Sequence, residues 1–145
     1  MIKQLSVFLE NAPGRLAGLA RTLGDSGINM HALMVAEASE FGMVRIICDT
    51  PKKAKTLLEE AGFGASVTDV IAVEVPDAPG GLADALEVLG ANGANVAYAY
   101  CFIHPLEKGA VDVLKVDSDD AEDMLTKAGF TVLAEEALYV PDPVS

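Results

Sequence analysis

The chain has 145 residues, enough for one ordinary domain or two very small ones. Half of it is apolar, but the longest uncharged apolar runs, Ile28 to Ala36 and Ala94 to Ile103, fall short of the ~20 residues that a membrane-spanning helix needs. A net charge of −12 repels phosphate backbones, which excludes nucleic acid as a partner.

In chain order, Gln4 to Leu9 alternates and reads as a strand that Pro13-Gly14 stops. Leu16, Leu19, Ala20 and Leu23 recur at helical spacing up to Gly24 and Gly27, which predicts an amphipathic helix over 14–26. Ile28 to Ala36 and Gly42 to Asp49 are apolar and β-rich, and the polar stretch around Ser39 to Phe41 makes them a hairpin. Thr50-Pro51 is expected to cap and open a second helix, with Ala54, Leu57, Leu58 and Ala61 on one face and Gly62 past its end. Val67 to Val75 is the last strand of this half. Strand, helix, strand, strand, helix, strand is the split βαβ order of ferredoxin-like folds.

The second half repeats the first. Asn11 to Ala17 matches Asp77 to Ala83 at a shift of 66, and from residue 11 to 30 nine of 20 pairs are identical, where background composition gives roughly two. After one inserted residue the shift becomes 67, pairing Gly42 with Gly109, Val44 with Val111, and Ala61 to Phe63 with Ala128 to Phe130. Two units are therefore expected, 1–69 and 70–145. The segment of about 64–75 is claimed by both, so either one strand runs across two sheets or the carboxy-terminal strand Leu133 to Val140 fills the first sheet by exchange. The expected fold is α+β: two ferredoxin-like βαββαβ units fused side by side into one extended antiparallel sheet with helices on one face. That sheet is expected to join through the apolar second strands, because pairing them removes two exposed edges. Charge is uneven: residues 1–69 hold seven basic and eight acidic side chains, residues 70–145 three and 14. A solvated acidic surface accounts for this, and a complementary surface between halves or subunits is the other reading.

A strand followed by Asn/Asp-x-Pro-Gly-x-Leu-Ala, a helix, and Gly-x-Asn leading a second strand resembles the ACT domain, here twice over Ile2 to Val140. The resemblance implies a stand-alone tandem ACT protein: a regulatory module without catalytic activity that binds a free amino acid where the turn before a first helix faces a second strand of the partnering unit. The residues themselves supply such chemistry. A Gly-rich turn opening a helix offers unpaired N–H groups to a carboxylate, at Gly14, Arg15 and Leu16 or at Gly80, Gly81 and Leu82. Gly14 and Gly80 lack a Cβ, and Pro13 and Pro79 stiffen the approach from Ala12 and Ala78. The ammonium needs oxygen acceptors, for which Asn11 and Asn29, with Asp77 and Asn95, are the candidates. The second strands would line the side-chain end, through Met30 and His31 in one copy and Val96 and Ala97 in the other. One phase carries Met30, Ala32, Met34 and Ala36 against Val96, Tyr98, Tyr100 and Phe102; an aromatic stripe of that period reads as core or interface rather than as a ligand cage.

Nothing in the sequence marks a catalyst. His31 and His104 are unmatched between repeats, Cys48 and Cys101 do not form a ligand pair by spacing, and no P-loop, nucleophile elbow or dinucleotide fingerprint occurs. No cofactor or metal is expected. The amino terminus opens straight into strand pattern with no secretion signal, and both cysteines sit in apolar runs as reduced thiols, so a cytoplasmic protein is expected. Its expected partners are a free amino acid, a second copy in a homodimer, and an enzyme it regulates, with neither nucleic acid nor membrane. The alternative is a ligand-free dimerisation or interaction subunit docking on an amino-acid biosynthetic enzyme.

Overall fold

In this computed structural model the described residues are 1–37, 39–103 and 109–144; His104, named above, lies outside them. The elements are β1 (Ile2–Glu10), α1 (Arg15–Asp25), β2 (Met30–Ala36), β3 (Phe41–Cys48), α2 (Pro51–Glu60), β4 (Gly64–Val75), α3 (Gly81–Ala91), β5 (Val96–Ile103), β6 (Ala110–Val116), α4 (Ala121–Lys127), β7 (Thr131–Val132) and α5 (Glu135–Leu138). The fold is two tandem ferredoxin-like units with antiparallel strands, as the repeat predicts. The strands follow the order β2-β3-β1-β4-β6-β5, with β7 on β4.

The chain divides into two compact units, and neither is a contiguous repeat. One comprises Lys3–Thr68 together with the chain from Leu138 onward; the other comprises Met1–Ile2 and Asp69–Ala137. In the first, Leu19 and Leu23 of α1 and Ala54 and Leu58 of α2 share a core with Leu5, Val7 and Leu9 of β1 and Val44, Ile46 and Cys48 of β3. Both helices of that unit therefore cover one face of its strands. In the second, Ala85 and Leu89 of α3 and Ala121 and Leu125 of α4 pack with Ile71, Val73, Val75 and Leu114 in the same manner.

Three expectations are corrected. The second strands do not carry the join: β2 pairs with β3 and β5 with β6, each as an end of the strand order, and the strand common to both units is β4, with 64–68 in one and 69–75 in the other. β4 is a single 12-residue strand, so no loop separates its two parts. The segment Leu133 to Val140 is not a strand either. β7 has only two pairs, Val73 with Val132 and Glu74 with Thr131, and Leu133 N–H adds a bond to the Ala72 carbonyl at 2.8 Å. Glu135 to Leu138, all good helix formers, then turn as α5.

The third correction concerns register. Val7 of β1 lies opposite Val44, but its repeat partner Val73 lies opposite Asp112, so β3 and β6 correspond at a shift of 68 and Val44 answers to Asp112, not Val111. Bulges between Met30 and Ala32 and between Val96 and Tyr98 also switch the side-chain phase of the second strands. Leu33 and Val35 thus stand opposite core residues Ile46 and Val44, and Ala99 and Cys101 opposite Leu114 and Asp112. Tyr98, Tyr100 and Phe102 fall on the other face, half-buried.

Candidate ligand sites at the strand-to-helix turns

β1 ends at Glu10 because Pro13 and Gly14 cannot continue it. Gly14 has φ +84° at the cap position of α1, and Gly80 has φ +87° before α3, a left-handed conformation that L side chains rarely adopt. Gly18 N–H donates to the Gly14 carbonyl at 2.9 Å, and Asp84 N–H to that of Gly80 at 3.0 Å, so each helical ladder starts at its glycine. Of the amides expected to meet a carboxylate, two are engaged in the turns: Arg15 N–H donates to Ala12 at 3.3 Å and Gly81 N–H to Ala78 at 3.1 Å. The N–H groups of Leu16 and Ala17, or of Leu82 and Ala83, are left at the helix start.

The first turn is tied to the β2–β3 hairpin. Asn11 N–H donates to the Glu40 carbonyl at 2.8 Å and the Asn11 side-chain amide to that of Ser39 at 3.5 Å. Between them lies a cavity of about 140 Å³ lined by Leu9, Glu10, Asn11, Ala12, Leu16, Val35, Glu37 and Gly42. That is the size of a cavity of about 150 Å³ known to admit a benzene-sized guest. The Arg15 guanidinium lies 4.6 Å over the Phe63 ring and its Nε 4.0 Å from the Glu10 carboxylate. Pro13 and Gly14 are exposed beside the cavity.

The second turn is built alike and lined differently. Asp77, Ala78, Pro79, Gly80 and Leu82 are exposed, and Gly81 is buried so closely against Pro76 that a Cβ would collide with the Pro76 carbonyl oxygen. The acidic Asp84 occupies the first turn of α3.

The remaining candidates cluster elsewhere. Asn29 and Asn95 sit just before β2 and β5, and each pairs with an aspartate: Asp49 N–H donates to the Asn29 carbonyl at 3.1 Å, and Asp117 N–H to that of Asn95 at 3.1 Å. Asn95 N–H returns a bond to the Asp117 carboxylate at 2.8 Å. His31 puts Nε2 at 2.8 Å from Asp49 Oδ1, while Met30 and Val96 pack against their cores and Ala97 is exposed. Glu10 and Ala36 both lie at the turn end of their strands and Asn29 at the other, so within a unit the two groups are about 20 Å apart along β2. The turn residues come together with one another; they do not meet Asn29 to His31 of the same unit.

Sequence reasoning missed Glu10 and Glu37, whose only signal was their place beside the turn and at the end of β2. It also missed Asp49. Burial pushes the Asp49 carboxyl up, but bonds from the Val140 backbone, His31 and the Asn29 backbone outweigh it and hold the group below its usual range. Neighbouring Cys48 is pushed up to about 12 by burial and by the Asp49 and Asp142 charges, which makes it an inert core thiol. Among the described residues no cluster of three His, Cys, Asp or Glu side chains is arranged to hold a metal ion, and no helix is long and apolar enough to cross a membrane.

The family model of the ACT domain pair matches residues 1–140. The chain belongs to that family. In structure the ACT domain pair resembles protein BT0572 from Bacteroides thetaiotaomicron, with 36% identity, 92% of each chain covered and a TM-score of 0.86. It shares its fold with the ligand-free regulatory subunit of aspartate kinase from Thermus thermophilus, at 16% identity, 87% of this chain, 89% of that one and a TM-score of 0.65. The regulatory subunit of aspartate kinase from Thermus flavus is similar at 18% identity, with 86% and 88% covered and a TM-score of 0.62. No protein of curated function matches the chain.

Proposed function

We propose that this ACT domain pair is a non-catalytic, cytoplasmic sensor of a free amino acid. The observation that carries the reading is the cavity at the first Pro-Gly turn, whose largely apolar lining includes Leu16 from the first turn of α1 and the acidic residues Glu10 and Glu37. A carboxylate fits the Leu16 and Ala17 amides, an ammonium the two glutamates and the Asn11 side chain, and an apolar side chain the Leu9, Leu16 and Val35 surface. Residues 1–69 and 70–145 are then two ACT-like repeats with inequivalent sites, the second at Asp77 to Leu82. Asn29, Met30 and His31, with Asn95, Val96 and Ala97, contribute from a neighbouring unit, in a homodimer that acts on a regulated enzyme.

A thermal-shift screen of the common amino acids tests this. Ligand at 100 times its dissociation constant stabilises by about 2.7 kcal/mol per site. Val35→Phe fills the cavity from a half-exposed edge position and should abolish the shift while leaving the unliganded melting temperature nearly unchanged. No shift with any amino acid at millimolar concentration favours the second reading, a ligand-free interaction subunit. That reading has its own support: the Arg15 and Gly81 amides already serve the turns, and the second turn is open to solvent.

A further inference from the structure

The start of α2 is capped by the far end of the chain. An N-cap residue ordinarily has extended backbone and accepts the second or third helical N–H on its own side chain. Thr50 stands in that place at φ 41°, ψ 64°, a strained conformation for a β-branched residue, and its side chain makes no cap bond. The amides it would serve are taken by Asp142: Lys52 N–H donates to one carboxylate oxygen at 2.9 Å and Lys53 N–H to the other at 3.1 Å. The preceding residues are pinned to the same junction. Val140 N–H donates to Asp49 Oδ1 at 2.9 Å, the Val140 carbonyl accepts Thr50 N–H at 2.7 Å, and the Tyr139 hydroxyl accepts Lys3 N–H at 2.8 Å.

In the second repeat α4 begins at Ala121 with Asp120 as its cap residue and no side-chain cap bond, and a hydroxyl bond lies just ahead of it. Ser118, which answers to Thr50 at the shift of 68, accepts Asp120 N–H on its own hydroxyl at 3.2 Å. Thr50 and Asp142 are thus rival acceptors for one set of amides, and the docked state holds Thr50 in the conformation that keeps it from competing. We infer that residues 138–142 form a releasable strap, whose departure hands the cap of α2 from Asp142 to Thr50. Because Asp49 Oδ1 serves both Val140 N–H and the His31 ring, the state of the strap is felt at the start of β2.

The test is amide hydrogen exchange by NMR on the full chain. In the wild type, Thr50, Lys52, Lys53 and Val140 should exchange through one shared opening, more readily than the centres of β1 and β3. Asp142→Ala should speed exchange at Thr50, Lys52 and Lys53 about tenfold or more and move the Thr50 Cα and Cβ shifts from left-handed to extended values. Thr50→Ala should leave Lys52 and Lys53 nearly unchanged alone, yet add about fivefold in the Asp142→Ala background, the loss of one cap. Thr50 shifts that stay left-handed in Asp142→Ala, or equal effects of Thr50→Ala in both backgrounds, overturn the inference. Should Asp142→Ala fail to fold, unrelated opening rates at the four wild-type amides overturn it as well.

Discussion

At one core position the two repeats differ by a charge. Val44 packs in the first core, and its counterpart Asp112 is 2% exposed with one carboxylate oxygen that has no hydrogen-bond partner among the described residues. Burial pushes the Asp112 carboxyl up. Its folded value thus lies above its unfolded one, so the stability it contributes is complete below the ordinary carboxylate pKa of about 4 and is lost as pH rises through the raised folded value. Asp112→Val, which restores the residue of the other repeat, should stabilise by about 1–3 kcal/mol at neutral pH and remove that slope. Urea melts at pH 4 and 7 measure both. The turn glycines divide by a different criterion. At Gly14 and Gly80 a Cβ meets open space and only the positive φ opposes it, so alanine should cost about 1–2 kcal/mol. At Gly81 the Pro76 carbonyl blocks a Cβ outright, and the same melts should show a larger loss for Gly81→Ala than for Gly80→Ala. Gly14→Val, a natural way to block the first turn, would confound strain with occlusion, since a branched residue is least tolerant of φ +84°.

At the scale of elements, the start of α2 depends on distant residues. Asp49 has a folded pKa below its unfolded one, so the stability it confers is present above the ordinary carboxylate range and is lost as pH falls through the lowered value. Protection of the Thr50 and Val140 amides should therefore hold from pH 8 to 5 and fall below about pH 4, where carboxylates titrate. Asp49→Asn should abolish that acid sensitivity and cost about 1.5–3 kcal/mol, the worth of hydrogen bonds to a charged acceptor. Its acid limb runs opposite in sign to that of Asp112, so the two variants separate their contributions. The helix itself was legible: Pro51 at its first turn, Ala54 and Leu58 buried, and Gly62 at φ +92° past its end. Its cap was not, because Asp142 lies 89 residues from Lys53 and no local pattern joins them.

For the whole molecule, units that trade their chain ends should lose stability on division. A fragment of residues 1–69 lacks the strap that belongs with Lys3–Thr68, and a fragment of 70–145 lacks Met1, whose ammonium lies 2.9 Å from Glu122. Each alone is expected to melt at a lower temperature than the intact chain by circular dichroism, and the two mixed to regain part of the loss. A 1–69 fragment with native amide shifts at Lys52 and Lys53 would contradict this.

Periodicity, proline and glycine act over a few residues, so the repeat, the order of helices and strands, the antiparallel ferredoxin-like class and the two Pro-Gly turns are legible in the sequence. The folded chain was needed to see that β4 serves both units, that bulges after Met30 and Val96 switch the faces of the second strands, and that Asp112 stands where the other repeat has Val44. It alone separated Asn29 from the turn of its own unit and put Glu10 and Glu37 in the lining of one cavity. Register and strand order rest on contacts between segments far apart in the chain, where one inserted residue reassigns every partner and leaves the local pattern intact.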